Sequence, residues 1–408
     1  MAARICCLDL DTFFVSVERL LDPTLEGKPV VVGGARGGRG VVTASSYEVR
    51  AFGVRSGMSL REASRLAPAD AVFLPTRHGV YGDYSKRVRA VLDGFSPEVR
   101  AASIDEFYID FAGCEGLYRR APDEDGDVAI ERAARAMCAR IRSEIGLPAS
   151  AGVGGTRVIA KVASGRAKPA GVLLVPVGAE RAFLLPLPVR KLPGIGPKAE
   201  ARMQADGLVT LGDLAGLPPG PVRARYARIL GFLERELDGA GARAPLARER
   251  PAFHEHDPEG LHLGSISNER TFFDALGDER RVRDQLLGLT ERVCWRARKR
   301  GIRARTITLK LRYSDFDTIS RSRSIEPTSD EAVVLRTLTD LYRAARRRRL
   351  PIRLLGVALS NLIAPDEPAQ LELPLERARP VGAAMDLVRG KYGYDAVHLG
   401  GAPHRRRS

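Results

Sequence analysis

The sequence predicts an α+β protein with more than one domain, and three observations support this class. In the first half, short apolar strands alternate with segments whose apolar residues recur at helical spacing. From Leu184 the pattern changes to short helices separated by glycine and proline turns. After a stretch at 240–263 that is rich in proline and small residues, typical of a linker, strand and helix patterns resume as a smaller α+β domain. The 408 residues suffice for two to four domains.

The first half opens on a buried strand over residues 4–10 and a helix over Thr12–Leu21, in which apolar residues fall on one face. The predicted elements that follow are strands at 29–33 and 41–44, helices at 47–51, 59–66 and 84–93, a β-hairpin at 99–111, a helix at 129–146, a strand at 149–154 and a helix at 157–164.

The second domain alternates between helix and strand in the same way. Its predicted elements are a helix at 272–300, strands at 306–313 and 318–324, a helix at 330–347 and a strand at 352–362. The segment after Ile363 is proline-rich and polar, so we expect a flexible tail.

The composition indicates a polyanionic partner. Lys and Arg number 65 against 50 Asp and Glu, a formal net charge of +15, which favours nucleic acid or an acidic membrane surface; a merely basic solvated surface would give the same count. No apolar stretch approaches the roughly 20 residues of a membrane span, and Asp9 and Asp11 interrupt any signal-peptide pattern. The five cysteines lack CxxC spacing, which indicates reduced cytosolic thiols rather than a zinc site or disulfides.

Two acidic segments in apolar surroundings form the candidate catalytic site. Asp9-Leu10-Asp11 ends the first strand, and Asp105-Glu106 lies within the predicted hairpin. Neighbouring strand residues face opposite sides, so Asp105 and Glu106 can serve one site only if the chain bends there or the site lies at the hairpin tip. Buried carboxylates are costly unless a cation compensates, and such oxygen ligands favour Mg²⁺. Taken alone, an acidic pair in a strand is more commonly structural, and Asp11 stands where a helix N-cap would.

Five segments occur together in the order and spacing of one family. They are CLDLDTFFVSVE (7–18), TASSYEVRAFGVRSGM (43–58), SIDEFYIDF (103–111), AGVGGTRVIAKVASGRAKPAG (151–171) and LPGIGPK (192–198). On these motifs the chain resembles the Y-family DNA polymerases, with the closest likeness to the bacterial DNA polymerase IV (DinB-like) branch.

The resemblance implies a right-hand polymerase with palm, small fingers, a helical helix-hairpin-helix thumb and a separate α+β little finger. The implied boundaries are 1–10 and 77–167 for the palm, 11–76 for the fingers, 168–239 for the thumb with its hairpin near 189–199, 240–263 for the linker, 264–365 for the little finger and 366–408 for the tail.

By motif position, the resemblance assigns the metal ligands and the sugar selector. Asp9, Asp105 and Glu106 become the catalytic metal ligands, with the Leu10 carbonyl completing a shell for two Mg²⁺ ions, for which Mn²⁺ can substitute. Phe14 falls at the steric gate, where its ring would occupy the space that a ribose 2′-OH needs. Without the family match, Phe14 would be interpreted as a core aromatic.

The resemblance also places the incoming nucleotide. Tyr47, Arg50 and Lys161 match the triphosphate contacts; alone, the two cations are ordinary for a helix surface. Arg50 can bind two oxygens at once, whereas Lys161 acts as a point charge. The backbone amides of Phe13 and Phe14, near a helix start, are further phosphate donors.

DNA contacts are expected in the thumb and in the little finger. Gly194, Gly196 and Lys198 lie in the hairpin motif, where the backbone can approach a phosphate without reading sequence. The family usually has a cation where Gly264 stands, so one phosphate contact is in doubt. Strand alternation puts the members of each of two arginine pairs on one face of their strand, from which they could follow a DNA backbone. The pairs are Arg303 with Arg305, and Arg321 with Arg323.

A short peptide in the tail, residues 370–375, resembles the segment by which bacterial polymerases bind the sliding clamp. Its candidate contacts are Gln370, Leu373 and Leu375. Six-residue patterns arise often by chance, and its position after the last folded domain is what favours the interpretation.

The implied function is template-directed addition of dNTPs to a primer 3′-OH by two-metal phosphoryl transfer, as low-fidelity translesion synthesis in DNA repair. The implied partners are primer–template DNA, dNTP and a sliding clamp, for a monomer in the cytoplasm near the nucleoid. Two alternatives are a catalytically silent DNA-binding adaptor of the same family, and a nucleotidyl cyclase or metal phosphohydrolase with a similar palm. The three acids argue against the first, and the thumb motif, the basic second domain and Phe14 against the second.

Overall fold

The computed structural model describes residues 4–238, 264–363 and 381–402. The chain divides into two compact units, residues 1–258 and 259–408, and each has its own apolar core. Both units mix helices and strands, so the predicted α+β class is confirmed. None of the described helices is apolar enough over a sufficient length to span a membrane.

The first unit follows the predicted element order closely. Its strands are β1 (Ile5–Leu10), β2 (Val30–Val32), β3 (Ala44–Ser45), β4 (Val72–Leu74), β5 (Glu98–Ala101), β6 (Glu106–Asp110), β7 (Ala149–Gly154) and β8 (Val172–Leu174). Its helices are α1 (Phe13–Leu21), α2 (Tyr47–Arg50), α3 (Leu60–Leu66), α4 (His78–Leu92), α5 (Glu115–Tyr118), α6 (Gly126–Ile145), α7 (Arg157–Ala167), α8 (Glu180–Leu184), α9 (Pro197–Ala205), α10 (Leu211–Ala215) and α11 (Pro221–Leu237).

A five-stranded sheet in the order β5-β6-β1-β7-β8 forms the centre of this unit. Strand β1 lies between β6 and β7 and pairs antiparallel with both. Because side chains alternate along a strand, Cys6, Leu8 and Leu10 join the large core with α4 and α6, whereas Ile5 and Cys7 pack with Ala160 of α7. Asp9 shares the alternation of Ile5 and Cys7 and therefore lies on the α7 side.

Helix α7 lies unusually close to β7. A Cβ atom added to Gly152 would lie 2.1 Å from the Ser164 nitrogen and 2.2 Å from the Ala160 oxygen. No side chain fits in that space, so glycine at this position permits the close contact between helix and strand.

Two smaller parts complete the unit. Strands β3, β2 and β4 form a small sheet that packs with α3 around its own cluster of buried residues. Helices α8 to α11 enclose another apolar cluster, in which Leu192, Met203 and Leu233 are buried.

The second unit is a four-stranded sheet with helices on one face. Its elements are β9 (Ser265–Leu276), α12 (Glu279–Arg298), β10 (Arg303–Tyr313), β11 (Thr318–Thr328), α13 (Glu331–Ala345), β12 (Ile352–Ile363) and α14 (Val381–Tyr392). The strand order is β11-β10-β12-β9. Buried residues such as Ile307 and Leu309 face the helices, and the other face carries hydroxyl pairs such as Thr308–Ser322, whose oxygens lie 2.9 Å apart.

Two predictions for this unit are wrong. The segment Phe272–Leu276, expected to open a helix, continues strand β9 along β12, and the helix begins only at Glu279. The expected flexible tail over 366–408 contains helix α14 and a following turn, and Met385 and Arg389 of α14 are buried.

Candidate active site

Strand pairing brings two of the three predicted acids side by side. In the antiparallel β1–β6 pair, Asp9 is directly opposite Glu106, so their side chains lie on the same face, towards α7. The Leu10 amide donates to the Asp105 carbonyl at 2.9 Å, which holds the third acid beside the end of β1.

The chain turns at the hairpin tip, as the sequence requires if both hairpin acids serve one site. The Ser103 hydroxyl accepts hydrogen bonds from the amides of Asp105 (3.2 Å) and Glu106 (3.1 Å) and donates to the Asp105 carboxylate. Asp105 therefore lies in the turn, and Glu106 is the first residue of β6.

Two lysines neutralise the acids in this structure. Lys161 of α7 binds the Glu106 carboxylate, with Nζ 2.6 Å from Oε1. Lys168 Nζ lies 2.5 Å from Oδ1 of Asp9 and 3.8 Å from the Asp11 carboxylate. The sequence motifs assigned Lys161 to phosphate and overlooked Lys168, although Lys168 stands seven residues further on in the same motif, residues 151–171.

The electrostatics of the site reflect this concentration of charge. Burial raises the pKa of Asp9 to about 6, the Lys168 ammonium opposes that rise, and the nearby Asp105 and Glu106 carboxylates add to it. Burial alone would lower the pKa of Lys161, yet the charge of Glu106 holds it above its usual value. The site therefore favours additional positive charge.

Replacing Asp9 by asparagine is expected to stabilise the metal-free protein at pH 8, by on the order of 2 kcal/mol. The pKa of Asp9 is raised in the folded state, so its contribution to stability is full below the unfolded pKa of about 4 and is lost as the pH rises through about 6. Urea unfolding in EDTA from pH 4 to pH 8 measures this. The exposed Asp83→Asn is the control, and identical pH profiles for Asp9→Asn and the parent would contradict the burial of this charge.

The donor chemistry fits a divalent cation. Three carboxylates from β1 and the hairpin supply hard oxygen ligands of the kind Mg²⁺ prefers, and lysine ammonium groups balance the charge of two of them, Glu106 and Asp9. Within residues 4–238, 264–363 and 381–402, the acids do not form a ready-made cage of three side chains. Asp9, Asp105 and Glu106, with the Leu10 carbonyl, are the groups that would hold metal.

Asp11 has a structural role in the resting fold, different from the helix cap considered above. Thr12 precedes α1 as its N-cap residue, with φ 44° and ψ 42°. The Asp11 carboxylate is buried, and it accepts hydrogen bonds from the Ser150 hydroxyl at 2.8 Å and from the Ala170 amide at 2.7 Å. It thereby ties the end of β1 to β7 and to the segment after α7.

The predicted triphosphate contacts lie on the border of the same site. The Tyr47 hydroxyl lies 3.5 Å from the Asp11 carboxylate, and burial and the Asp11 charge raise the pKa of Tyr47 to about 12. The Arg50 guanidinium lies over the Tyr47 ring, 5.0 Å from its centroid, and donates to the Ser45 carbonyl at 3.1 Å. Together with Lys161, these residues give a cationic and hydroxyl-bearing rim to the acids.

Phe14 is only partly buried and packs against the main core. It projects from the first turn of α1, immediately after the strand that carries Asp9. The core contact agrees with the interpretation of Phe14 as a core aromatic, and its role as a steric gate stays a prediction.

The thumb motif has the form expected of a backbone grip. Gly194 adopts φ +93°, which residues with a side chain rarely take. Gly196 is the N-cap of α9, and Lys198 in its first turn is exposed. Leu192 and Ile195 are buried beneath the loop, so the glycines and Lys198 face outward.

The register of the second sheet assigns a face to one of the two predicted arginine pairs. Arg321 is opposite Leu309 and Arg323 is opposite Ile307, so both lie on the side that carries the helices, where Arg323 pairs with Asp340 of α13 at 3.1 Å. Arg303 and Arg305 of the other pair flank Ala304, which is buried in the core, and the register of β10 against β11 shifts between Ala304 and Thr306, so the alternation of Ile307 and Leu309 does not extend to this pair. The candidate clamp contacts Gln370, Leu373 and Leu375 lie outside the described residues.

Comparison with known proteins places the chain among polymerases. The impB/mucB/samB family matches residues 8–165, and the C-terminal domain of that family matches residues 264–373. DNA polymerase IV of Dehalococcoides mccartyi strain CBDB1 is 36% identical over 399 residues, covering 97% of each chain. DNA polymerase IV 2 of Mesorhizobium japonicum is 37% identical, covering 98% of this chain and 94% of its own.

Solved structures show the same fold. A Y-family polymerase chimera, Dbh-Dpo4(243-245)-Dbh, matches with a TM-score of 0.70 at 24% identity, covering 88% of this chain and 99% of its own. DinB from Sulfolobus solfataricus matches with a TM-score of 0.59 at 24% identity and the same coverage. Near full-length similarity to named relatives and a shared palm, fingers, thumb and little-finger fold lead to one conclusion: the chain belongs to the Y-family of DNA polymerases, in the DNA polymerase IV branch.

Proposed function

We propose that this chain extends a primer 3′-OH with dNTPs opposite a template strand, using the carboxylates of Asp9, Asp105 and Glu106. One observation carries the proposal: the pairing of β1 with the hairpin sets Asp9 opposite Glu106 and binds Leu10 to Asp105. As a translesion DNA polymerase of its family, the chain is a DNA-directed nucleotidyltransferase. A catalytically silent adaptor is disfavoured, because all three acids are retained.

The acids are proposed to hold two divalent cations, Mg²⁺ with Mn²⁺ as a substitute. Bound there, such ions activate the attacking hydroxyl and stabilise the charge of the leaving group. The protein's own contribution is to present hard oxygen atoms at the end of a strand in the centre of the sheet.

Lys161, Arg50 and Tyr47 are proposed to bind the triphosphate. Lys161 is paired with Glu106 in this structure, so its ammonium would move from the carboxylate to a phosphate oxygen when nucleotide arrives. Once placed against the phosphates, these donors would stabilise the negative charge that develops in the transition state. The amides of Phe13 and Phe14 at the start of α1 are further donors.

DNA is proposed to lie along the thumb and the little finger. Gly194, Gly196 and Lys198 would hold a phosphate at the N-terminus of α9. Arginines at the rim of the second sheet would supply contacts whose strength falls with salt; these are Arg303, Arg305, Arg321 and Arg323. The finer proposals are a sliding-clamp contact through 370–375, a monomeric state, and action in the cytoplasm at the nucleoid.

Primer extension with Mg²⁺ tests the proposed function. We expect dNTP incorporation only when primer and template are both present, and continued synthesis past damaged template bases, because small fingers reject mismatched shapes weakly. Binding of DNA with no extension would support the adaptor. Turnover of nucleotide without a primer would support a cyclase or hydrolase.

Replacing Phe14 by alanine is expected to admit ribonucleotides. The loss of the ring removes the collision with a 2′-OH, and we expect the ratio of ribonucleotide to deoxynucleotide kcat/KM to rise about 100-fold, equivalent to about 2.7 kcal/mol. Single-nucleotide insertion with dCTP and CTP opposite the same template base measures the ratio. Deoxynucleotide insertion by the same variant is the internal control, and an unchanged ratio would remove Phe14 from the gate.

A further inference from the structure

The Phe14 ring packs against the ring of a tyrosine from another helix. Phe14 and Tyr81 stack almost parallel, with ring centroids 4.1 Å apart and planes 14° apart. Tyr81 belongs to α4 and is fully buried. His78, one turn earlier on α4, contacts Phe14 edge-on at 6.4 Å. The ring of Phe14 therefore rests on an aromatic surface that belongs to a different helix.

Tyr81 is in turn held by an ion pair whose carboxylate, that of Glu18, is buried and whose guanidinium, that of Arg77, reaches the surface. Its hydroxyl donates to Oε1 of Glu18 at 2.5 Å, and Glu18 is only 3% exposed. Arg77 donates from Nε to the same Oε1 at 2.9 Å and from its terminal nitrogen to Oε2. A buried carboxylate with two oxygens bound by an arginine has a strongly preferred geometry, and that geometry sets the position of the tyrosine hydroxyl.

The arrangement uses the four-residue repeat of two helices. Phe14 and Glu18 are one turn apart on α1, and Arg77 and Tyr81 are one turn apart where α4 begins, so each pair lies on one helix face. The two faces meet such that ring contacts ring and carboxylate contacts guanidinium. Loss of either contact would leave the Phe14 ring free to tilt.

We infer that Tyr81, fixed by Glu18 and Arg77, sets the plane of the Phe14 ring and thereby the sugar selectivity of the active site. The inference rests on the proposed role of Phe14 as the gate. A steric gate rejects a ribonucleotide only while its ring stays in place, because a ring that tilts away makes room for the 2′-OH. Glu18, Arg77 and Tyr81 are in this sense positioning residues for sugar discrimination.

Sugar selectivity in single-nucleotide insertion tests the inference. Tyr81→Leu removes the supporting ring and is expected to raise the ribonucleotide to deoxynucleotide ratio of kcat/KM at least tenfold, mainly through a higher ribonucleotide kcat. Tyr81→Phe and Glu18→Gln keep the rings and weaken only the hydrogen bonding, so we expect rises of about threefold. These milder variants report on the same network if the leucine variant folds poorly.

A matched control exists in the thumb. Tyr226 is also buried, and its hydroxyl donates at 2.6 Å to Asp206, which pairs with Arg225. Tyr226→Leu thus removes an equivalent tyrosine, carboxylate and arginine network, and it should leave the sugar ratio unchanged. A merely structural role for Tyr81 would make the two leucine variants behave alike.

A double-mutant cycle separates this inference from the gate itself. With Phe14→Ala already present, Tyr81→Leu should add no further rise in the ratio. If Phe14→Ala alone leaves the ratio unchanged, the gate assignment fails. If Phe14→Ala raises it while Tyr81→Leu, Tyr81→Phe and Glu18→Gln do not, the gate stands and the positioning network is refuted.

Discussion

Replacing Asp105 by alanine is expected to reduce primer extension at least about 10³-fold, with binding of primer–template DNA retained. Removing one carboxylate from a shared metal site is expected to raise the barrier by about 4 kcal/mol, because the site would hold less firmly the cations that stabilise the negative charge developing in the transition state. Asp105 lies in the hairpin turn, and Ser103 is the side chain that hydrogen-bonds its carboxylate among the described residues, so its loss should leave the fold intact. Single-turnover extension and fluorescence anisotropy with labelled DNA measure the two effects separately.

Asp83→Ala provides the control for a lost carboxylate. Asp83 is 74% exposed on α4 and pairs only with Lys86 on the surface, so extension should equal that of the parent. Undiminished synthesis by Asp105→Ala would contradict the metal assignment, whereas a parallel loss of DNA binding would show that Asp105 acts through the fold.

Replacing Arg389 by methionine is expected to destabilise the second unit by about 3–5 kcal/mol. Arg389 of α14 and Glu291 of α12 are both fully buried, with Nη2 and Oε1 2.7 Å apart. Arg389 also donates to the Val397 carbonyl at 3.0 Å, and its guanidinium lies 4.5 Å from the Tyr394 ring centroid. Removing Arg389 takes the paired guanidinium from the buried Glu291 carboxylate, which keeps the Leu399 amide at 2.7 Å and the His398 ring at 3.3 Å as neighbours; the loss of the opposite charge is why the effect is large.

Urea unfolding of the full chain, followed by the fluorescence of Trp295, measures this loss. Trp295 lies 4.8 Å from the Tyr394 ring, centroid to centroid, and so reports on the same contact. Arg343→Met is the matched control, because Arg343 is 75% exposed and its surface pair with Asp340 should contribute less than about 1 kcal/mol. The double variant Arg389→Met, Glu291→Met should recover much of the stability. A change below about 1 kcal/mol for Arg389→Met alone would contradict a stabilising role for the opposite charge.

Most of the palm could be predicted from sequence because its signals are local. The apolar run that forms β1, the helical spacing of α1 and the strand β7 depend on patterns within a few residues. A bend of the chain at Asp105 and Glu106, or a site at the hairpin tip, could be predicted as a requirement of the catalytic hypothesis, since two adjacent acids cannot share a face of a regular strand. The Ser103 hydrogen bonds show how the chain satisfies that condition.

Elements that depend on distant partners were missed. Phe272–Leu276 carries apolar residues that suit a helix, yet pairing with β12 extends it as a strand, and such tertiary context commonly overrides local preference. Helix α14 follows a proline-rich stretch, and its buried Arg389 is bound by a carboxylate 98 residues earlier in the chain. The pairing of Lys168 with Asp9 was missed for the same reason, since the two residues are far apart in sequence and are brought together by the fold.

The close contact between α7 and β7 makes the chemistry depend on a residue that has no functional group. Gly152 acts as a spacer: any larger residue there would push α7 outward by roughly an ångström, and a misplacement of that size can lower a catalytic rate about 100-fold. Lys161 is part of α7, whereas Asp9 and Glu106 belong to the central sheet, so a shift of α7 would change the distance between them. The distance from the Lys161 ammonium to the acids therefore depends partly on the absence of a side chain at Gly152. We expect substitutions at Gly152, which has no chemical role of its own, to be tolerated as poorly as substitutions at the carboxylates.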